Sequence, residues 1–417
     1  MLSLGSSFAT SDSSYLGGVK SRDRFSPAVS AELQRIVNVS VTSGDAPFVV
    51  AMVADNSGIN FCGSSGEAAP GLHANENTVF RIFSMSKPFC AVAMMMLIER
   101  GVLDPDTPVE EIVPEFARIG VLDGYADGKA RLRRPRTLAT VRHLATHTSG
   151  LEYEFWNPAV AEFMEKTAHP SIIQGTLHSM CYPMMSEPGT RWGYGPGIDW
   201  LGLVVEAVDG REIDQFCREE IFQPLALENT SFEVDDRMRK SLCQVSLRNT
   251  DGEFSQIAMD PPSHPEVYGM GIALYSTAPD YLRFLRLFLN GGELDGYRIL
   301  SPASIDQMFA DQMRGLAFSK MVSCAPVTHD VDPFPSSRHT HTFGFLRNED
   351  DIPEMRSAKS VGWAGVLNSH YWVDRTSNVA GVFMSQSLPF FEPRFMKRYE
   401  QFERCVYRDL RHSDHVV

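Results

Sequence analysis

Arg81-Ile82-Phe83-Ser84-Met85-Ser86-Lys87-Pro88 opens an apolar run that continues through Phe89-Cys90-Ala91-Val92-Ala93-Met94-Met95-Met96-Leu97-Ile98. A serine three residues before a lysine, at the start of a helix, puts hydroxyl and amine on one face of the first turn. The amine can take the hydroxyl's proton there, and the helix N-terminus favours the oxyanion that results. The chain has eight lysines, and Lys87 alone carries a serine three positions earlier. Chance on a solvated helix face yields the same pair, so the motif needs partners elsewhere before it carries a function. Pro88 is tolerated in the first turn, where its missing N–H has no intrahelical partner. Gly101, followed by Val102-Leu103-Asp104-Pro105, marks the helix end. Ala91, Met94, Met95 and Ile98 form an apolar face suited to a buried central helix, and Cys90 reads as a small core residue.

Outward from this helix, strand patterns gather at the two ends of the chain. Residues 27–43 are an amphipathic helix with Val29, Leu33, Ile36 and Val37 at helical spacing. Phe48 to Ala54 and Ile59 to Cys62 form a hairpin around Asp55-Asn56-Ser57-Gly58, and Thr78 to Phe83 is a short extended approach to Ser84. Val361 to Gly365, Ser369 to Val373 and Val379 to Ser385 form a second strand set, closed by a helix from Phe391 to His412. Between these ends the patterns are mostly helical: Thr140 to Thr146, Pro158 to Lys166, Ile198 to Val208, Ile213 to Ile221, Ser276 to Asn290 and Ser301 to Gln312. Residues 313–357 cluster His and Pro and read as a long irregular region near a cleft. The expected architecture is α/β of the α+β kind. A central antiparallel sheet draws on both chain ends, is flanked by helices, and is interrupted by an inserted, mostly helical domain. The expected division is a flexible segment over 1–26, an α/β domain from 27–104 and 265–417, and the helical insertion over 105–264.

Composition narrows the function classes. The 417 residues are 43% hydrophobic with a net charge of −14, which disfavours nucleic acid and anionic membranes as partners. No apolar stretch approaches the ~18 residues that span a bilayer. The first 26 residues are rich in Ser and Gly and lack the basic and apolar regions of a secretory signal. The seven cysteines are scattered without a CxxC, which fits reduced thiols in a cytoplasmic protein. His143 and His147 lie four apart on a helix, but His-Glu-x-x-His is absent. No metal and no cofactor is expected. His339 and His341 fall in the irregular region, as solvated loop residues or as part of a cleft lining.

Three further segments accompany Ser84-x-x-Lys87. Thr140-Val141-Arg142-His143-Leu144-Ala145-Thr146-His147-Thr148-Ser149-Gly150 is a helix stopping at a Thr-Ser-Gly turn. Pro188-Gly189-Thr190-Arg191-Trp192-Gly193-Tyr194-Gly195-Pro196-Gly197 is an aromatic loop entering a helix, and Gly362-Trp363-Ala364-Gly365-Val366 is a glycine-rich strand. In this order they resemble the serine β-lactamase and penicillin-binding-protein superfamily over roughly residues 30 to 410. The resemblance is closest to its family VIII carboxylesterases and lovastatin-type acyltransferases.

The resemblance implies roles one residue at a time. Ser84 matches the nucleophile, and Lys87 the lysine that accepts or holds its proton. Tyr194 matches the tyrosine that acts with the lysine and protonates the leaving group. The backbone N–H groups of Ser84 and Val366 match the oxyanion hole. The resemblance also implies a structural role for His143 and His147. Trp363-Ala364-Gly365 stands in place of the lactamases' Lys-Thr-Gly, which makes Trp363 and Gly365 substrate-binding positions. Two departures matter: Gly195-Pro196 replaces the expected Asn after the tyrosine, and Trp363 replaces the lysine. A tryptophan there favours neutral, apolar acyl esters over carboxylate-bearing lactams. Trp363 on its own reads equally as strand packing. Tyr153, Phe155 and Trp156 either line the acyl pocket or belong to the core.

No Gly-x-Ser-x-Gly elbow occurs, so a Ser-His-Asp α/β-hydrolase has no support. The expectation is a serine carboxylesterase acting on small short-chain or aryl esters, with slow β-lactam turnover compatible. The alternative is an acyltransferase that delivers the acyl group to a small-molecule alcohol. A β-lactamase, a D-alanyl peptidase and an inactive scaffold rank below these. Oligomeric state is open.

Overall fold

A computed structural model describes residues 24–413, with side-chain surroundings through residue 410. The segment expected to be flexible over 1–26 lies outside the described residues except for its last three. Helix α1 (Pro27–Thr42) begins after Ser26, whose hydroxyl accepts the Val29 N–H, and it buries Val29, Leu33, Ile36 and Val37. Strand β1 (Phe48–Ala54) is buried at every position, because helices cover both faces of the sheet. Phe48, Val50, Met52 and Ala54 enter one core, while Val49, Ala51 and Val53 enter the other. The two-residue side-chain period therefore serves two hydrophobic layers at once.

The large sheet has eight strands, all paired antiparallel. β1, β2 (Ile59–Ala69) and β3 (Leu72–His73) come from the N-terminal end. β4 (His339–His341), β5 (Leu346–Asn348), β6 (Val361–Gly365), β7 (Ser369–Asp374) and β8 (Val379–Met384) come from the C-terminal end. The order across the sheet is β4-β5-β6-β7-β8-β1-β2-β3. β1 is the seam between the two ends, with Met52 opposite Val382 on β8 and opposite Cys62 on β2. The sheet from both chain ends, expected from the sequence, is therefore present, and it is wider than the strand patterns indicated.

Helix α2 (Lys87–Glu99) is buried from Lys87 through Leu97, as its nearly unbroken apolar sequence requires. It packs against α4 (Gly197–Asp209), which follows the short α3 (Val141–Ala145). α5 (Ala278–Leu289) lies across β1 and β8 on this same side. On the opposite face α1 packs with the C-terminal helix α6 (Pro393–Ser413). Phe395, Tyr399, Phe402 and Val406 of α6 close the second core over Trp372 and Phe383.

Four points differ from the sequence patterns or add to them. The region 313–357 is not wholly irregular, since β4 and β5 fall within it. His339 and His341 are buried on β4 rather than solvated. The stretch 105–264 contains the hairpins Val121–Ala126/Lys129–Arg133 and Val245–Arg248/Phe254–Ile257. These two hairpins are partly exposed and polar, so they lack the apolar alternation by which a strand is read. The helix expected over Ile213 to Ile221 runs only to Cys217 and then widens into a π-turn over Arg218–Phe222.

Candidate active site

Ser84 lies one turn earlier than a helix-start reading places it. It sits in a 3-10 turn, Phe83–Ser86, that feeds directly into α2. Pro88 in the first turn of α2 tolerates this tight entry. Phe83, immediately before the serine, holds the left-handed φ of 43°, a costly conformation for a residue with a side chain. Three hydrogen bonds, two with Leu274 and one from Tyr281, staple the turn. Ile82 N–H donates to Leu274 O at 3.0 Å, Leu274 N–H to Ser86 Oγ at 3.1 Å, and Tyr281 O–H to Met85 O at 2.9 Å.

Within this frame Lys87 Nζ donates to Ser84 Oγ at 2.9 Å and to Gly271 O at 3.0 Å. Lys87 is 1% exposed and Ser84 8%, so both are buried, the amine more completely. Nζ lies 4.9 Å from the Tyr194 ring centroid and 5.5 Å from that of Tyr153. The pair singled out by spacing alone is therefore a direct hydrogen bond.

Tyr194 reaches this centre on the loop that enters α4. The His-Thr-Ser-Gly stretch holds the loop on both sides. Gly193 N–H donates to His147 O at 2.8 Å, Tyr153 N–H to Tyr194 O at 2.9 Å, and Gly195 N–H to His147 Nδ1 at 3.5 Å. A Cβ on Gly195 would overlap the Leu151 carbonyl, so this approach needs glycine. The phenol oxygen of Tyr194 accepts the Trp363 indole N–H at 3.0 Å, with the two rings 5.0 Å apart. Gly365, two residues on, packs against the Ile82 carbonyl, where a Cβ would collide. This contact brings the end of β6, and with it Val366, against the Ser84 turn.

The remaining expected residues divide by depth. Tyr153 is buried and its O–H donates to Asp199 Oδ2 at 3.4 Å. Phe155 and Trp156 stay partly exposed at the rim, with Trp156 5.6 Å from Tyr194 and 6.1 Å from Phe390. The irregular segment after residue 313 latches onto this rim: Cys324 N–H donates to Phe155 O at 2.9 Å and Trp156 Nε1–H to His329 O at 3.5 Å.

His143 accepts the Thr140 N–H at Nδ1 (3.1 Å) and completes a capping box for α3. His147 lies under Tyr194, ring to ring at 4.8 Å, and 5.0 Å from His341. Burial pushes both imidazoles down, His147 well below 6.5 and His341 to about 4, and Lys87 acts in the same direction. Two neutral imidazoles thus back the amine and phenol.

Sequence reasoning missed Asp199. It is 0% exposed in the first turn of α4, and its Oδ1 accepts Gly271 N–H at 2.9 Å. Burial raises its carboxyl above the usual range, opposed by Lys87. Asp199 stands five residues past the tyrosine in Trp192-x-Tyr194-x-x-x-x-Asp199-x-x-Gly202, a stretch that carries the family resemblance, but the sequence assigned it no role.

A model of the beta-lactamase family matches residues 33–405. The chain belongs to that family. Within it, the chain is 29% identical over 360 residues to lovastatin esterase of Penicillium rubens, which covers 82% of this chain and 88% of that protein. It is 28% identical over 355 residues to acyltransferase calJ of Penicillium decumbens, covering 82% and 83%. Among solved structures, unliganded selenomethionyl simvastatin synthase (LovD) of Aspergillus terreus superposes with a TM-score of 0.77 at 23% identity, over 91% of this chain and 98% of that one. EstCE1, a hydrolase with promiscuous acyltransferase activity, superposes with a TM-score of 0.73 at 22% identity, over 91% and 98%. The family's mixed α/β fold, a large antiparallel sheet flanked by helices, is the fold of this chain.

Proposed function

We propose that this beta-lactamase-family chain is a serine carboxylesterase of the family VIII kind, hydrolysing small short-chain or aryl esters through an acyl-enzyme on Ser84. The observation that carries this reading is the 2.9 Å hydrogen bond from a buried Lys87 to Ser84, with Tyr194 beside it and held by Trp363. In the acylation step the Ser84 O–H proton passes to Lys87 or Tyr194 while Oγ bonds the ester carbonyl carbon. The carbonyl oxygen takes the negative charge, facing the N–H groups of Ser84 and Val366. The C–O bond to the alcohol breaks, and Tyr194 gives its proton to the departing alkoxide. Water then repeats the sequence and frees the acid. Trp363, Phe155 and Trp156 supply the apolar wall against which a neutral ester packs, with Gly365 allowing the close approach of β6.

Ser84→Ala is expected to lower hydrolysis of a chromogenic short-chain ester by at least about 1,000-fold, the scale seen when a nucleophile is removed. Full retention of activity sinks the mechanism.

A second reading is an acyltransferase that resolves the same acyl-enzyme with a small-molecule alcohol. It is favoured by relatives that carry acyltransferase names and by the partly exposed aromatic rim, which suits an apolar acceptor. Product analysis with and without an added alcohol separates the two, since ester product outpacing free acid selects transfer. Lactamase action ranks lower because Trp363 stands where a lysine would meet a substrate carboxylate. No helix among the described residues is long and apolar enough to cross a membrane. The proposed location is the cytoplasm, and the proposed partner is a small-molecule ester without a cofactor.

A further inference from the structure

Lys87 makes two hydrogen bonds, and the second leads to a buried anion site. Its Nζ donates to Gly271 O at 3.0 Å. Gly271 N–H in turn donates to Asp199 Oδ1 at 2.9 Å, while Asp199 Oδ2 accepts the Tyr153 O–H at 3.4 Å. Residues 269 and 271 are both glycine, and a Cβ at either would lie 2.5 or 2.6 Å from an Asp199 oxygen. The carboxyl group thus fills space that side chains would occupy. Burying a carboxylate is costly because it loses its water, so the surroundings must offset that loss. Here the N-terminal turn of α4, two hydrogen bonds and the neighbouring Lys87 offset part of it, and burial still leaves the carboxyl raised.

We propose that Asp199 is a positioning residue for Lys87, acting through the backbone of Gly271. This rests on the reading of Ser84 as nucleophile and Lys87 as the acceptor of its proton. A lysine amine turns freely about its last bonds, and only a fixed acceptor selects one direction for it. By pinning residue 271, Asp199 fixes that acceptor and so aims Nζ at Ser84 Oγ. It also places negative charge behind the amine, which favours the ammonium formed when the serine proton arrives. The other titratable groups facing this centre are Tyr153, Tyr182 and Tyr194 on the loops, His147 and His341 behind them, and Cys90 on α2. None of them is a carboxyl group.

The test compares wild type, Asp199→Ala, Asp199→Asn and Ser84→Ala in ester hydrolysis, in the rate of Ser84 labelling by a fluorophosphonate, and in the pH–rate profile. Asp199→Ala is expected to lower kcat about 100-fold with KM unchanged, the scale of loss when a reacting group is misplaced by an ångström. Its labelling rate falls in parallel. Asp199→Asn keeps an acceptor for Gly271 but loses the charge, so its acid limb moves to lower pH. A folded Asp199→Ala with wild-type kcat and labelling overturns the inference. If that variant does not fold, Asp199→Asn decides, and an unshifted acid limb overturns it. Loss of activity in Ser84→Ala with full activity in Asp199→Ala defeats this inference alone, whereas full activity in Ser84→Ala defeats the reading beneath it.

Discussion

Single atoms set the chemistry at the Ser84 turn. Phe83 accepts a left-handed backbone so that Ser84 and Lys87 come within 2.9 Å, and Gly365 lets β6 press on Ile82 at the same point. Trp363 contributes a hydrogen bond as well as a wall. Trp363→Phe keeps the packing but deletes the indole N–H that meets the Tyr194 oxygen. A net hydrogen bond is worth about 1 kcal/mol, so kcat is expected to fall about fivefold with the fold intact. Steady-state kinetics beside a melting curve checks this, and an unchanged kcat rejects an orienting role for the indole. Ser84, Lys87, Tyr194 and Trp363 were legible in the sequence because their identities and spacing carry the pattern. What Asp199 and His341 do was not, because a carboxylate or imidazole becomes informative only once its burial and neighbours are known. His341 sits about 150 positions from Tyr194 in a stretch whose composition reads as loop.

At the level of elements, long apolar patterns translated directly into structure. α1, β1, α2, β7, β8 and α6 lie where periodicity put them, to within a residue or two at most ends. The elements that escaped are short or polar. β4 is His339-Thr340-His341, three residues with no apolar side chain, and becomes a strand only because β5 pairs with it. The turn joining them shows how tightly this edge is fitted. Gly344 holds a φ of 89°, and a Cβ there would lie 2.6 Å from the Ala91 Cβ of α2. Gly344→Ala is expected to destabilise the protein by about 2–4 kcal/mol, combining left-handed strain with overpacking. Urea unfolding measures the loss, and an unchanged midpoint refutes the claimed fit of sheet edge to helix.

For the whole molecule, buried imidazoles tie stability to pH. Burial lowers His339 and His341 from 6.5 to about 4, with Arg356 adding to the effect at His339 and Lys87 at His341. Below pH 6.5 the unfolded chain binds protons that the folded chain refuses, so the stability these groups contribute is present above that value and is lost as pH falls towards 4. Each histidine accounts for on the order of 3 kcal/mol across the window. Tm is expected to drop steeply there, with a shallower slope in His341→Asn. A Tm independent of pH over that range counts against neutral burial. The amino-acid sequence by itself determined the sheet from both chain ends, the central helix and the side chains gathered around Ser84. These follow from local periodicity and from residue types that neighbours along the chain suffice to interpret. Only the tertiary structure decided the eight-strand order, the fate of residues 339–348 and the placing of Asp199 behind Lys87. They depend on burial, on strand pairing and, for Asp199, on hydrogen bonds between segments more than seventy residues apart, none of which local pattern encodes.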